Sequence, residues 1–191
     1  MVCEWKKERD GFSLVELVLV IAIMAILTGG VLISFGLLRS ADTQGAAQSI
    51  NNGLSEVKSK NMAGQKKTYM NLYKYSNNYY IRFTKDGDAG TDSGKLRTID
   101  SGELGKKIAN QNISISFQGS ELESGKIYSF TIKKSDGSFG NEYYVTPSGG
   151  TSTTNALPSP AKFTVKASNG KGTVREIWMV SNTGRHYVDV L

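Results

Sequence analysis

Three carboxylates lie in a glycine-rich stretch near the middle of the chain, where a flexible loop could hold a cation. Asp86, Asp88 and Asp92 fall within the sequence Asp-Gly-Asp-Ala-Gly-Thr-Asp. Calcium is bound by oxygen-rich flexible loops, but the EF-hand spacing ends in a bidentate glutamate that this stretch lacks. We therefore predict a solvated turn, no metal site and no cofactor, although the sequence alone does not decide whether this loop binds calcium.

The chain offers little for catalysis. His186 is its only histidine, and Cys3 is its only cysteine. Zinc sites draw on several such ligands, and a catalytic triad needs a nucleophile with a base beside it. No nucleophile elbow, phosphate-binding loop or zinc-protease motif occurs. We predict that the protein is not an enzyme and that His186 lies on an edge strand.

Basic and aromatic residues alternate towards the C-terminus. Lys171, Arg175 and Arg185 are the bases that we select as candidate nucleic-acid contacts, with Trp178 and Tyr187 nearby. Such a set could bind DNA through phosphate contacts and base stacking. A solvated sheet face is the simpler interpretation, and the net charge of +6 is compatible with both.

One carboxylate interrupts a long apolar run near the N-terminus. Residues 12–38 contain a single charged residue, Glu16. A helix needs about 20 apolar residues to cross the hydrocarbon core of a membrane, and an unpaired charge within it costs roughly 3 kcal/mol or more. Lys6, Lys7 and Arg9 precede the run, which predicts a cytoplasmic N-terminus. A charge kept at that cost indicates a partner.

The junction Gly11-Phe12-Ser13-Leu14-Val15-Glu16 after a basic leader resembles the leader of type IV pilins and pseudopilins. The resemblance implies that a prepilin peptidase cuts after Gly11 and N-methylates Phe12. It also implies that Glu16 sets the register between subunits by meeting the amine of a neighbouring Phe12. Many Gram-negative pilins carry a C-terminal disulfide loop, which this chain cannot form because Cys3 lies in the leader.

The positioning elements follow from periodicity. Ala47, Ile50, Leu54 and Val57 recur at helical spacing, and Gly64 is the expected stop. Gly29, Gly30 and Gly36 are expected to interrupt the helix. Strands of one antiparallel sheet are predicted next, with a loop at residues 147–160. Their ranges are 68–75, 79–84, 96–100, 113–117, 127–133, 142–146, 163–167, 174–180 and 186–190. The final hairpin, with Thr183-Gly184-Arg185 in its turn, resembles minor pseudopilins and minor pilins of the GspH/FimT group.

These observations predict an α+β, pilin-like fold, in which a long N-terminal helix packs against an antiparallel sheet. The expected function is a structural subunit of a type IV pilus or a type II secretion pseudopilus. The expected partners are the prepilin peptidase, other subunits, the assembly platform and the membrane, with a single pass and an extracytoplasmic head. A DNA-binding minor pilin and a non-polymerising anchored surface domain are the alternatives. The expected parts are the leader 1–11, the transmembrane and filament-core helix 12–38, the amphipathic half 39–64 and the β-rich head 65–191.

Overall fold

The computed structural model describes residues 13–170 and 172–191, with only the backbone described for residues 29–39. The chain divides into two compact units, Met1–Leu38 and Arg39–Leu191. The described residues form one long helix followed by thirteen strands. Both the helix and the antiparallel strands were expected, so the predicted α+β, pilin-like fold class is confirmed.

Helix α1 spans Leu14–Ala63. It continues through Gly29, Gly30 and Gly36, so the expected interruption is absent. A glycine costs about 1 kcal/mol in a helix interior, which is small against the hydrogen bonds of a helix this long. The helix ends where predicted, because Gly64 N donates to Lys60 O at 2.8 Å and a Cβ on Gly64 would lie 2.5 Å from that oxygen.

The strands form two main antiparallel sheets rather than the one that we predicted. The six-stranded sheet has the order β10-β9-β8-β1-β2-β5, and the five-stranded sheet has the order β13-β12-β11-β6-β7. Strands β3 and β4 form a separate pair. The strands are β1 Thr68–Tyr75, β2 Asn78–Lys85, β3 Thr91–Asp92, β4 Lys95–Leu96, β5 Lys106–Ala109, β6 Ile113–Phe117, β7 Ser120–Glu121, β8 Lys126–Thr131, β9 Glu142–Pro147, β10 Thr153–Ala156, β11 Ala161–Ala167, β12 Arg175–Val180 and β13 Arg185–Val190.

Two predicted segments are wrong. The strand expected at residues 96–100 is reduced to Lys95–Leu96, paired with β3. Ile99 instead packs, without strand pairing, beside Leu96 in a small apolar cluster with Tyr73. The loop expected at residues 147–160 contains β10, which forms the edge of the six-stranded sheet. Its sequence, Thr-Thr-Asn-Ala, has no apolar alternation because its side chains are mostly exposed.

The core lies between the second half of α1 and the sheets. The predicted stripe of Ala47, Ile50, Leu54 and Val57 is fully buried, with 0% exposure at each position. A Cβ on Gly53 would lie 2.8 Å from the sulfur of Met70, so this helical turn sits closely on β1. Further out, four rings pack edge to face or stacked with centroids 4.7–5.8 Å apart: Phe117, Phe130, Tyr143 and Phe163. These contacts fix the helix to the head from Ala46 onward.

Candidate functional site

The start of α1, residues 14–27, presents apolar side chains on every side. All large apolar side chains from Leu14 to Leu27 are exposed, with exposed fractions between 40% and 77%. A helix that is apolar all round is normally buried in a larger assembly or in a membrane. A contiguous exposed apolar surface of this kind marks an interaction site. Residues 14–27, which we call the apolar segment, are therefore the first candidate site.

No helix among the residues whose placement is described is both long and apolar enough to cross a membrane.

Glu16 is the one charged residue of the apolar segment. It lies in the first turn of α1 and is exposed. An acid in the first turn interacts favourably with the helix dipole, by about 0.3–1 kcal/mol at an exposed position. That is less than the roughly 3 kcal/mol that a charge costs in hydrocarbon. The helix dipole alone therefore does not account for a carboxylate in an apolar assembly. The predicted processing residues, Gly11 and Phe12, lie outside the described residues.

The turn between β12 and β13 contacts the C-terminal part of α1. Gly184 O accepts from Lys58 Nζ at 3.2 Å, and a Cβ on Gly184 would lie 1.8 Å from Gly137 O. His186 lies on β13, an edge strand as predicted. Its Nδ1 donates to Gly184 O at 3.2 Å, so its Nε2 accepts from Ser55 Oγ at 2.8 Å. The closeness of backbone to backbone at this turn requires glycine.

Burial lowers the pKa of His186 below its ordinary value, and the nearby Lys58 ammonium adds to the effect. The hydrogen bond to Gly184 O opposes it more weakly than burial does. The ring also meets the edge of Phe139, with centroids 5.9 Å apart. His186 is therefore a neutral structural residue at the junction between α1 and the final hairpin.

Asn61 makes a second attachment, which the sequence did not suggest. It is 3% exposed and donates to Thr68 O at 2.9 Å, to Thr131 Oγ1 at 3.2 Å and to Ile132 O at 3.1 Å. Its Oδ1 accepts from Thr68 N. The side chain thus joins the end of α1 to the start of β1 and the end of β8. Asparagine is a poor helix former, so its presence near the end of α1 was the only sequence signal for a role of the side chain outside the helix.

The predicted nucleic-acid contacts are not brought together. Arg175 pairs with Val190, and Arg185 pairs with Val180, so the two arginines lie at opposite ends of the β12–β13 hairpin. Five residue steps separate them, which is about 17 Å along a strand. Arg175 donates to Gln44 Oε1 at 3.4 Å, while Arg185 is exposed. Lys171 lies outside the described residues.

Of the two aromatic residues of this region, Tyr187 is exposed, whereas Trp178 is already in contact with a base. Lys162 Nζ lies 5.0 Å from the centre of the Trp178 ring and forms a 2.6 Å ion pair with the buried Glu176. A base that is paired with a carboxylate contributes little net charge to phosphate binding. In this part of the five-stranded sheet, Lys162 is therefore already paired within the protein and is a weak candidate for binding phosphate.

In the glycine-rich stretch, the carboxylate of Asp88 stabilises a turn. Asp88 Oδ2 accepts from Lys85 N at 2.7 Å, and Thr91 Oγ1 donates to Asp88 O at 2.7 Å. Asp88 and Asp92 are exposed. Within the described parts of the chain, no group of three or more metal-ligating side chains is close enough to hold an ion.

Comparison with known families identifies the N-terminal segment. Residues 6–32 match the prokaryotic N-terminal methylation motif. This match supports a resemblance of the N-terminal segment to type IV pilins and pseudopilins. The matched residues include Gly11, Phe12 and Glu16, together with the whole of the apolar segment. No curated protein and no solved structure shows a significant match to the chain.

The motif indicates the function of the chain in broad terms. Proteins of this motif family are structural rather than catalytic, and the motif implies processing by a prepilin peptidase and assembly with other pilin subunits. It also points to processing at the cytoplasmic membrane. The exposed apolar segment lies within the matched residues, so the motif and the exposure concern the same part of the molecule.

Proposed function

We propose that this pilin-like chain is a structural subunit of a type IV pilus or a type II secretion pseudopilus, assembled through its apolar segment. The observation that carries the proposal is the uniform exposure of residues 14–27. Burying a large apolar side chain contributes roughly 1.5–3 kcal/mol, so helix-to-helix packing of this segment would drive assembly strongly. The head would then face outward from a core of packed helices.

Processing prepares the assembling end. Cleavage after Gly11 removes the leader 1–11 and leaves Phe12 as an N-methylated terminus. The amine of Phe12 is a cation, and Glu16 lies about one helical turn further along. Between two subunits, the Phe12 amine of one neutralises the Glu16 carboxylate of the next, because two charges buried together must be paired. The pair fixes the register between subunits.

Each of the remaining parts of the chain has its own proposed role. Residues 12–38 anchor the subunit in the cytoplasmic membrane before assembly and form the filament core afterwards. Residues 39–64 fasten the core helix to the head, and residues 65–191 form an extracytoplasmic head at the cell surface or in the periplasm. Besides the peptidase and the other subunits, the partners are the membrane and the assembly platform. The protein acts as a peptidase substrate and not as an enzyme.

Replacement of Glu16 tests the register role. Glu16→Ala in the native host should abolish or strongly reduce filament assembly, while the protein still accumulates and is still cleaved after Gly11. Glu56→Ala is the matched control, because Glu56 lies on the same helix in an exposed 2.6 Å ion pair with Lys60, a type worth about 0.3–0.5 kcal/mol. Shear fractions and immunoblotting measure assembly. Normal filaments with Glu16→Ala would refute the register role.

A further inference from the structure

Four lysines meet around the C-terminal end of α1. Lys66 and Lys67 precede β1, and Lys133 and Lys134 follow β8. Strands β1 and β8 pair antiparallel, with Tyr69 opposite Thr131, so the start of β1 and the end of β8 place the two lysine pairs side by side. The hydrogen bonds of Asn61 to both strands hold this arrangement in place.

The four lysines line one cavity of about 310 Å³, which we call the lysine cavity. The other residues that line it are Asn61, Gly64, Gln65 and Ile132, so no carboxylate is part of its wall. All four lysines are exposed. Across the described residues, none of the four forms an ion pair with a carboxylate.

The protein's own groups balance this charge only in part, although Lys66 Nζ would lie 3.3 Å from a Cβ on Gly87, between Asp86 and Asp88. The nearby Asp136 has a pKa below its ordinary value mainly because Ser138 donates hydrogen bonds to it, with Lys133 a smaller cause. Glu142 lies in an adjoining cavity beside Lys67 and Lys133. The end of α1 carries a partial charge of about −0.5, against four ammonium groups. Like charges placed together destabilise a fold, so an anion that binds here relieves repulsion.

We propose that the lysine cavity binds the phosphate groups of a phosphodiester chain. Lysine is a point charge that binds phosphate without the planar geometry that arginine offers. No aromatic ring lines the cavity, so nothing there stacks on bases. Binding would therefore depend on charge and not on base sequence. The site is distinct from the predicted contacts Arg175 and Arg185, which belong to the final hairpin of the other sheet.

The test uses the full-length chain in a non-ionic detergent and a fluorescent single-stranded oligonucleotide. Anisotropy titrations at several salt concentrations give the affinity and its salt dependence. Each lysine pair of the cavity is changed to glutamine, and an exposed pair on the edge strand β5 is the matched control. The variants are Lys66→Gln/Lys67→Gln, Lys133→Gln/Lys134→Gln and, as the control, Lys106→Gln/Lys107→Gln.

We expect the slope of log affinity against log salt to fall by about 0.7 for each phosphate of the single strand that a lysine no longer neutralises. Each cavity pair should therefore lower the slope by about 1.4, and the control pair should leave it unchanged. Lysine-to-arginine replacement of a cavity pair should restore binding, because the charge is retained. Unfolding midpoints of all variants verify that each is folded, and if one glutamine pair does not fold, the other glutamine pair carries the test.

Two competitors identify the source of the phosphate. Displacement of the labelled oligonucleotide by an unlabelled abasic oligonucleotide, but not by inorganic phosphate at equal phosphate concentration, supports a site for a phosphodiester chain. Displacement by inorganic phosphate alone overturns the polymeric ligand and leaves a small-anion site. No binding of the oligonucleotide at low salt, or equally weakened binding in the cavity and control variants, overturns the site altogether.

Discussion

Removing the Asn61 side chain should loosen the end of α1 from the head. Asn61→Ala leaves the buried Thr68 amide without its acceptor and takes a donor from Ile132 O. Each buried polar group without a partner costs about 1–3 kcal/mol, and alanine regains about 0.5 kcal/mol as the better helix former. Thr68 O keeps its bond from Thr131 Oγ1 at 2.9 Å, so only these two groups count and we expect a net loss of about 1.5–5.5 kcal/mol.

Asn52→Ala is the matched control, because it makes the same chemical change on the same helix. Asn52 is exposed and its side chain accepts only from Gln48 Nε2, at 3.0 Å. The assay is thermal unfolding of the full chain in detergent, followed by circular dichroism. Asn61→Ala should lower the midpoint by about 5–15 °C, and Asn52→Ala should leave it unchanged or slightly raised. Equal midpoints for the two variants would refute the attachment that we assign to Asn61.

Two further predictions concern the final hairpin. Gly184→Ala should destabilise the head by about 3 kcal/mol or more, because the new Cβ would lie 1.8 Å from Gly137 O at a φ of +62°. Gly170→Ala is the control, because Gly170 has a φ of +70° and open space around it, and it should cost only the backbone strain of about 1–2 kcal/mol. Urea unfolding measures the stability of both variants. Similar destabilisation by both would contradict the close approach at Gly184. The lowered pKa of His186 means that the unfolded chain binds its proton more readily, so stability should be full above about pH 6.5 and fall as the pH drops below it. Unfolding midpoints at pH 7.5 and 5.5 should differ less in His186→Gln than in the wild type, and an unchanged difference would contradict this assignment.

Local signals in the sequence predicted much of the fold. Ser76 and Asn77 adopt φ values of +46° and +62° between β1 and β2, as expected of a tight hairpin turn. The apolar alternation in β6 and β11 places Phe117 opposite Phe163 and Ile115 opposite Val165, with all four side chains buried. These features depend on neighbouring residues, and a short stretch of sequence is enough to reveal them.

Long-range partnership could not be predicted in the same way. The sequence of β6 contains no signal that it pairs with β11 rather than with a strand of the sheet that contains β1 and β8. We therefore predicted one sheet where the structure has two main sheets. The lysine cavity depends on the pairing of β1 with β8, which lie far apart in the chain. The attachment by Asn61 likewise requires both strand ends to be known. Leader processing, in contrast, is encoded in a short contiguous motif at residues 6–32.

The mass of the N-terminal peptide, taken from protein recovered from its native membranes, tests the central claim most directly. Our account predicts that the chain begins at Phe12 and that this residue carries an N-methyl group. A chain that begins at Met1, in cells with an active prepilin peptidase, would contradict processing after Gly11. The Phe12–Glu16 pairing and the proposed assembly would then lose their basis, and a non-polymerising anchored surface domain would be the better description.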